Sequence, residues 1–146
     1  MKRILSILFI WILAVTGFSA NYYVSTDGSA TNSGSISSPW TIQFAMTNRA
    51  QVGAGDTVWM REGFYNTLQT NWPYVCVYTV YGTPASPITV RNYGYERVVI
   101  DGGFYNYTSP SSNVVIFGLE FTCSGARTNT YEGRPGALSM VDGSKV

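Results

Sequence analysis

The stretch from Pro87 to Gly103, PITVRNYGYERVVIDGG, decides how this chain folds. It holds two β-branched runs, Ile88–Val90 and Val98–Ile100, joined by the polar connection Asn92–Glu96. Alternation and β-branching predict strands. The connection is too short for a crossover helix, so the pair is no βαβ unit. Two solutions remain. One is a hairpin. The other is a corner, at which the chain bends and continues as the next face of a coil.

The flanking sequence favours the corner. Short apolar runs recur around Ile88, Ile100, Ile116 and Met140, separated by glycine-containing bends. Self-similarity at roughly 20 to 50 residues marks a solenoid, whose coils bury their inner faces only by stacking. Gly118, inside VVIFGLEF, would weaken a flat strand and suits a corner. Further strands are predicted at Tyr22–Ser25, Asp56–Met60, Tyr74–Tyr81, Leu119–Cys123 and Leu138–Val141. Thr26–Ser38, Gly102–Asn113 and Ser124–Pro135 are polar and predict loops. One helix is predicted after Ser38, which can cap it, with Pro39 at its first position. Ile42, Ala45, Met46 and Arg49 share one face, Trp40 and Phe44 the other, and the helix ends before Gly53 and Gly55. An open coil stack exposes apolar residues and strand edges, so this helix is expected to cover one end.

The first residues are not part of the fold. Lys2 and Arg3 precede an apolar run from Ile4 to Val15, and Gly17-Phe18-Ser19-Ala20 offers a small-residue cleavage site after Ser19 or Ala20. This pattern predicts a secretory signal peptide over residues 1–20. The competing reading, a membrane anchor, wants roughly 18 or more apolar residues, and the run falls short. Removing Lys2 and Arg3 from the nine basic residues leaves seven against eight acidic ones, a net charge near −1. Such a chain attracts neither nucleic acid nor an anionic membrane. There is no histidine, which excludes Ser-His and Cys-His catalysis and His-based zinc sites for this chain. Cys76 and Cys123 are the two cysteines. Export permits a disulfide between them, and each equally suits a small buried apolar position.

Four segments in order carry a family resemblance: YYVSTDGSATNSGSISSPWTIQFAM, AGDTVWMREGFYN, SPITVRNYGYERVVIDGG and NVVIFGLEF. Together they resemble the start of secreted right-handed parallel β-helix proteins, and most of all pectate-lyase-like proteins of polysaccharide lyase family nine type. The resemblance implies an all-β, pectin-lyase-like solenoid with a short N-terminal capping helix. Residues 21–56 would form the first strand, polar loop and helix, and residues 57–146 the first coils. It also implies a chain truncated at its C-terminus, since the family continues for many coils beyond a point such as Asp142–Val146. Glu62 stands where the family usually has the first of two glycines, so that turn is expected to differ.

The resemblance implies an extracellular or cell-surface protein that acts on polysaccharide. Lyases of this type cleave uronic-acid polymers by β-elimination, with a Ca²⁺ ion neutralising the sugar carboxylate and a Lys or Arg taking the proton. Calcium needs several oxygen ligands. No motif here matches the family's acidic cluster or base, so no catalytic residue is assigned, and the catalytic residues of a lyase or a glycoside hydrolase would lie beyond this chain. Asp101, Glu120 and Asp142, near successive strand ends, could form an acidic column for a metal; as turn and surface residues they have a plainer explanation. Arg91, Arg97 and Arg127 could pair with carboxylates of a polymer or be solvated surface charges. Tyr93, Tyr95, Tyr105 and Tyr107 could stack on sugars or pack against neighbouring coils. Asn106-Tyr107-Thr108 is a glycosylation sequon. Besides an enzyme, the sequence accommodates a carbohydrate-binding or adhesion module and a purely structural first segment of a longer coil.

Overall fold

The computed structural model of the chain describes residues 18–66, 74–106, 113–122 and 138–140. The two central runs form strands β5 (Ile88–Asn92) and β6 (Val98–Asp101), and they do not pair with each other. β5 pairs with β2 (Thr57–Met60) and β8 (Val114–Phe117). β6 pairs with β3 (Gly63–Asn66) and β9 (Glu120–Thr122). Every one of these pairings is parallel, so the connection is a corner. Its turn is held by Asn92, whose side-chain amide donates to the carbonyls of Gly94 and Glu96 at 3.3 and 3.1 Å.

The strands fall into three parallel sheets. The first has the order β1 (Asn21–Val24), β2, β5, β8; the second is β3, β6, β9. The third is β4 (Tyr74–Tyr78), β7 (Gly103–Asn106), β10 (Leu138–Met140), with β7 in the middle. From β2 onward the chain visits the first, second and third sheets in turn, then repeats, so each strand pairs with the one three places later. Alternation then puts like residues above like. Val58 aligns with Val90, Tyr65 with Ile100, and Cys76 with Phe104. All six are at most 4 % exposed and form the core with Met60, Tyr78 and Ile88. Burying each large apolar side chain contributes about 1.5–3 kcal/mol.

Two expectations change. Gly102–Asn113 is not all loop, because Gly103–Asn106 is strand β7, with Phe104 fully buried. Glycine and asparagine are poor strand formers, but burial of Phe104 outweighs that preference. The helix α1 starts later than Ser38. It runs from Ile42 to Thr47, and Thr41 caps it by accepting from the Phe44 N–H. The backbone of Trp40 is already committed to β1: its N–H donates to Tyr23 and its carbonyl accepts from Ser25. Ser38 instead bridges Ser35. Ile42, Ala45 and Met46 are buried as expected, and Trp40 is stacked on Tyr22 with ring centroids 4.8 Å apart.

Two of the three leading sheet edges, those of β1 and β4, have partners. The polar loop lies along β1, where Tyr23 donates to the Gly34 carbonyl and the Trp40 indole donates to Asn32 at 2.6 Å. α1 lies against β4, the edge of the third sheet. The Gln43 side chain both donates to the Val77 carbonyl and accepts its N–H, each at 3.0 Å, as a neighbouring strand would. Thr79 and Val80 donate to the Met46 carbonyl, and Arg49 donates to the Thr79 carbonyl. Among the described residues no helix is long and apolar enough to cross a membrane. The predicted signal peptide lies almost wholly outside the described residues.

Candidate polysaccharide-contact surface

The alternation that fills the core also sets what the first sheet shows outside. Tyr23, Trp59, Arg91 and Phe117 are register partners across β1, β2, β5 and β8. They point away from the buried row of Val58 and Val90. Neighbouring strands lie about 4.8 Å apart, so the four form a ladder roughly 14 Å long. Tyr93, just past β5, closes on it edge-to-face, 5.5 Å from Tyr23 and 5.8 Å from Trp59. The Trp59 indole donates to Asn21 Oδ1 at 2.8 Å, which fixes that ring.

Arg91 lies between two rings. Its guanidinium carbon is 5.0 Å from the Trp59 ring centre and 4.4 Å from that of Phe117. Its Nε is buried without a hydrogen-bond partner. The other described arginines all have oxygen partners. Arg49 donates to Thr79, Arg61 to Glu96 at 2.8 and 2.9 Å, and Arg97 to Glu120 at 2.7 and 2.9 Å. Among the described residues Arg91 thus has neither a carboxylate partner, as Arg61 and Arg97 have, nor a carbonyl partner such as that of Arg49, and it is held between aromatic faces.

A second charged group positions Tyr93. Arg61 lies over the Tyr93 ring at 5.4 Å and pairs with Glu96, which also accepts the Glu62 N–H at 2.7 Å. The Arg61 hydrogen bonds hold the Glu96 carboxyl below its ordinary range, with the Glu62 N–H helping. This is also the distinctive use of Glu62: its backbone anchors Glu96 while Gly63 turns the chain at φ 148°.

The remaining predicted residues separate. Tyr95 is wholly exposed at the turn and outside the ladder. Tyr105 is half-buried on β7, in a different sheet. Asp101 and Glu120 do not stack: Asp101 aligns with Thr122 and Glu120 with Val99. Asp101 is buried, whereas exposed Glu120 is paired with Arg97, whose hydrogen bonds lower the Glu120 pKa. No cluster of three potential metal ligands occurs among the described residues. Cys76 is a buried free thiol, its pKa pushed up by burial alone. Asn106 is fully buried in β7, a position that leaves no room for a glycan. Tyr107, Cys123, Arg127 and Asp142 lie outside the described residues.

Sequence reasoning singled out Arg91 and Tyr93 and missed Tyr23, Trp59 and Phe117. Alternation alone marks these as outward residues. Their alignment needs the strand register, which no local pattern supplies. A shallow hollow on the second sheet, about 410 Å³ and lined by Glu62, Gly63, Phe64, Arg97 and Val99, is the weaker candidate because its arginine is already paired.

No protein-family model matches the chain. Pectate lyase PEL9 of Emericella nidulans is 34% identical over 97 residues, 64% of this chain and 22% of that protein. Over those residues the chain resembles a pectate lyase in sequence. The uncharacterized protein YwoF of Bacillus subtilis is 40% identical over 81 residues, 55% of this chain and 15% of that protein. A crystal structure of pectate lyase Pel9A aligns with 71% of this chain and 27% of its own, at a TM-score of 0.48 and 22% identity. The chain therefore spans less than a quarter of the curated relatives it matches.

Proposed function

We propose that this chain is the amino-terminal part of an extracellular, pectate-lyase-like protein that acts on uronic-acid polysaccharide. The observation that carries the reading is the 34% identity with a pectate lyase over 97 residues. The recurring order of strands through three parallel sheets supports it. In this reading the sheets are the faces of a right-handed parallel β-helix, the usual hand for parallel connections. The polar loop and α1 cap its first coil, since they cover the leading edges of β1 and β4.

The ladder is the surface through which this part of the protein meets the polymer. Aromatic faces stack on the apolar faces of sugar rings, and the Arg91 guanidinium pairs with a carboxylate. A guanidinium charge between two rings with no carboxylate partner among the described residues favours an acidic polymer over a neutral one. Cleavage by β-elimination is the chemistry that the resemblance implies, with Ca²⁺ as its cation. The described residues do not fit a calcium site, because Glu120 is taken by Arg97 and is out of register with Asp101. They carry no calcium-dependent step. The ladder equally serves a non-catalytic binding module, which is the alternative reading.

The test is incubation of the full-length secreted protein with pectate and alginate. Release of unsaturated uronides that needs calcium and stops with a chelator supports the lyase. Saturable binding without release favours the binding module. A protein inert and non-binding on all polyuronates overturns the proposal.

A further inference from the structure

We propose that processing cuts the chain between Ser19 and Ala20, and that the new α-ammonium group of Ala20 pairs with the buried Asp56 carboxylate. Asp56 is 6 % exposed. Its Oδ1 accepts the Ala20 N–H at 2.7 Å, and its Oδ2 accepts the Gly53 N–H at 2.8 Å. No side-chain cation is bonded to it among the described residues. A buried carboxylate without a counter-charge is costly. An ammonium group at the Ala20 nitrogen supplies that charge in place.

Ala20 is already held as a first residue would be. Its carbonyl accepts from the Thr57 N–H at 2.9 Å, which continues the register of β1 on β2. Ser19 still touches the fold through its hydroxyl, which donates to the Gly55 carbonyl at 2.6 Å, whereas Phe18 before it is 93 % exposed. The backbone is thus anchored from Ala20 onward, with Ser19 held by its side chain alone and Phe18 projecting.

The sequence agrees independently. Leader peptidases take a small residue at the cleaved position and another two places earlier. Cleavage after Ser19 satisfies this with Gly17 and Ser19. Cleavage after Ala20 would put Phe18 at the earlier position and would also remove the nitrogen that Asp56 holds. In the accepted cut, a leader peptidase adds water across the amide. The Ser19 carbonyl leaves as a carboxylate on the leader, and the Ala20 nitrogen becomes a primary amine that takes up a proton. The cut is made on the unfolded chain during export. Folding then closes the ion pair, so only the processed chain carries a full charge pair at this site.

The experiment uses the protein secreted with its own leader. Amino-terminal sequencing and intact mass are expected to show Ala20 first; a start at Asn21, or a retained leader, overturns the proposal. An amine-acylating reagent then reads the pair. In the native protein the α-amine is expected to react about tenfold more slowly than in denaturant, the effect of one pKa unit. Asp56→Asn should abolish that protection. If this variant fails to fold, an alanine inserted between Ser19 and Ala20 moves the amine away from an intact Asp56 and should expose it equally. Equal rates in the native and denatured wild type overturn the pairing. None of these readouts depends on which polymer the protein binds.

Discussion

Arg91 differs from its fellow arginines in having rings where they have oxygens. Its replacement therefore removes a charge available to a ligand and leaves no protein acceptor stranded. Arg91→Gln is expected to lower affinity for polygalacturonate about tenfold, the scale of one charge-assisted hydrogen bond. Thermal stability should change little, which a melting curve checks. Lysine would restore the charge and lose the planar stacking, so Arg91→Lys should recover binding only in part. Gly118 is the opposite kind of residue. It sits at φ +72°, and an added Cβ would run into the Asn92 side chain that holds the neighbouring corner. Gly118→Ala should destabilise the fold by about 1–3 kcal/mol, read by denaturant titration. Glu96 links pH to the ladder. Its pKa is lowered in the folded state, chiefly by Arg61. Its contribution is therefore complete above the ordinary glutamate value of about 4.3 and fades as pH falls through the lower folded value. Glu96→Gln should cost about 1 kcal/mol at neutral pH and flatten the acid limb of the stability profile.

Elements show where sequence was legible and where it was not. Strands β2, β5, β6 and β8 could be read from alternation and β-branching, and the corner from the glycine-broken recurrence. The tetrapeptide Gly-Phe-Tyr-Asn occurs twice, as β3 and as β7. In β3 the phenylalanine, Phe64, is 49 % exposed and Tyr65 is buried. In β7 Phe104 is fully buried and Tyr105 is not. The same four residues face opposite ways because each strand takes its register from its neighbours, Val98–Asp101 in one case and Tyr74–Tyr78 in the other. No local rule could separate them. The helix start was hidden for a similar reason: Ser38-Pro39 is a good cap sequence, but Trp40 is claimed by β1. The pairing of Gln43 with Val77 was also invisible, since its partner lies 34 residues away. Gln43→Ala leaves two backbone groups of β4 unbonded and is expected to cost about 1–3 kcal/mol, with faster amide exchange at Val77 as the readout.

At the scale of the molecule, one repeated path through three sheets produces both the core and the surface. Inward rows stack apolar side chain on apolar side chain; outward rows stack whatever the register delivers. On the first sheet that delivery is Tyr23, Trp59, Arg91 and Phe117, drawn from strands 26 to 36 residues apart in the register pairs. A binding surface assembled this way leaves no motif in the sequence, which is why Arg91 and Tyr93 were visible as residue types and the ladder was not. The most direct measurement is affinity electrophoresis of the secreted protein, wild type and Arg91→Gln, through gels containing polygalacturonate or a neutral glucan. The account predicts that polygalacturonate retards the wild type, that retardation weakens with added salt, and that Arg91→Gln largely abolishes it. Equal mobility in both gels, or retardation untouched by Arg91→Gln, would contradict it.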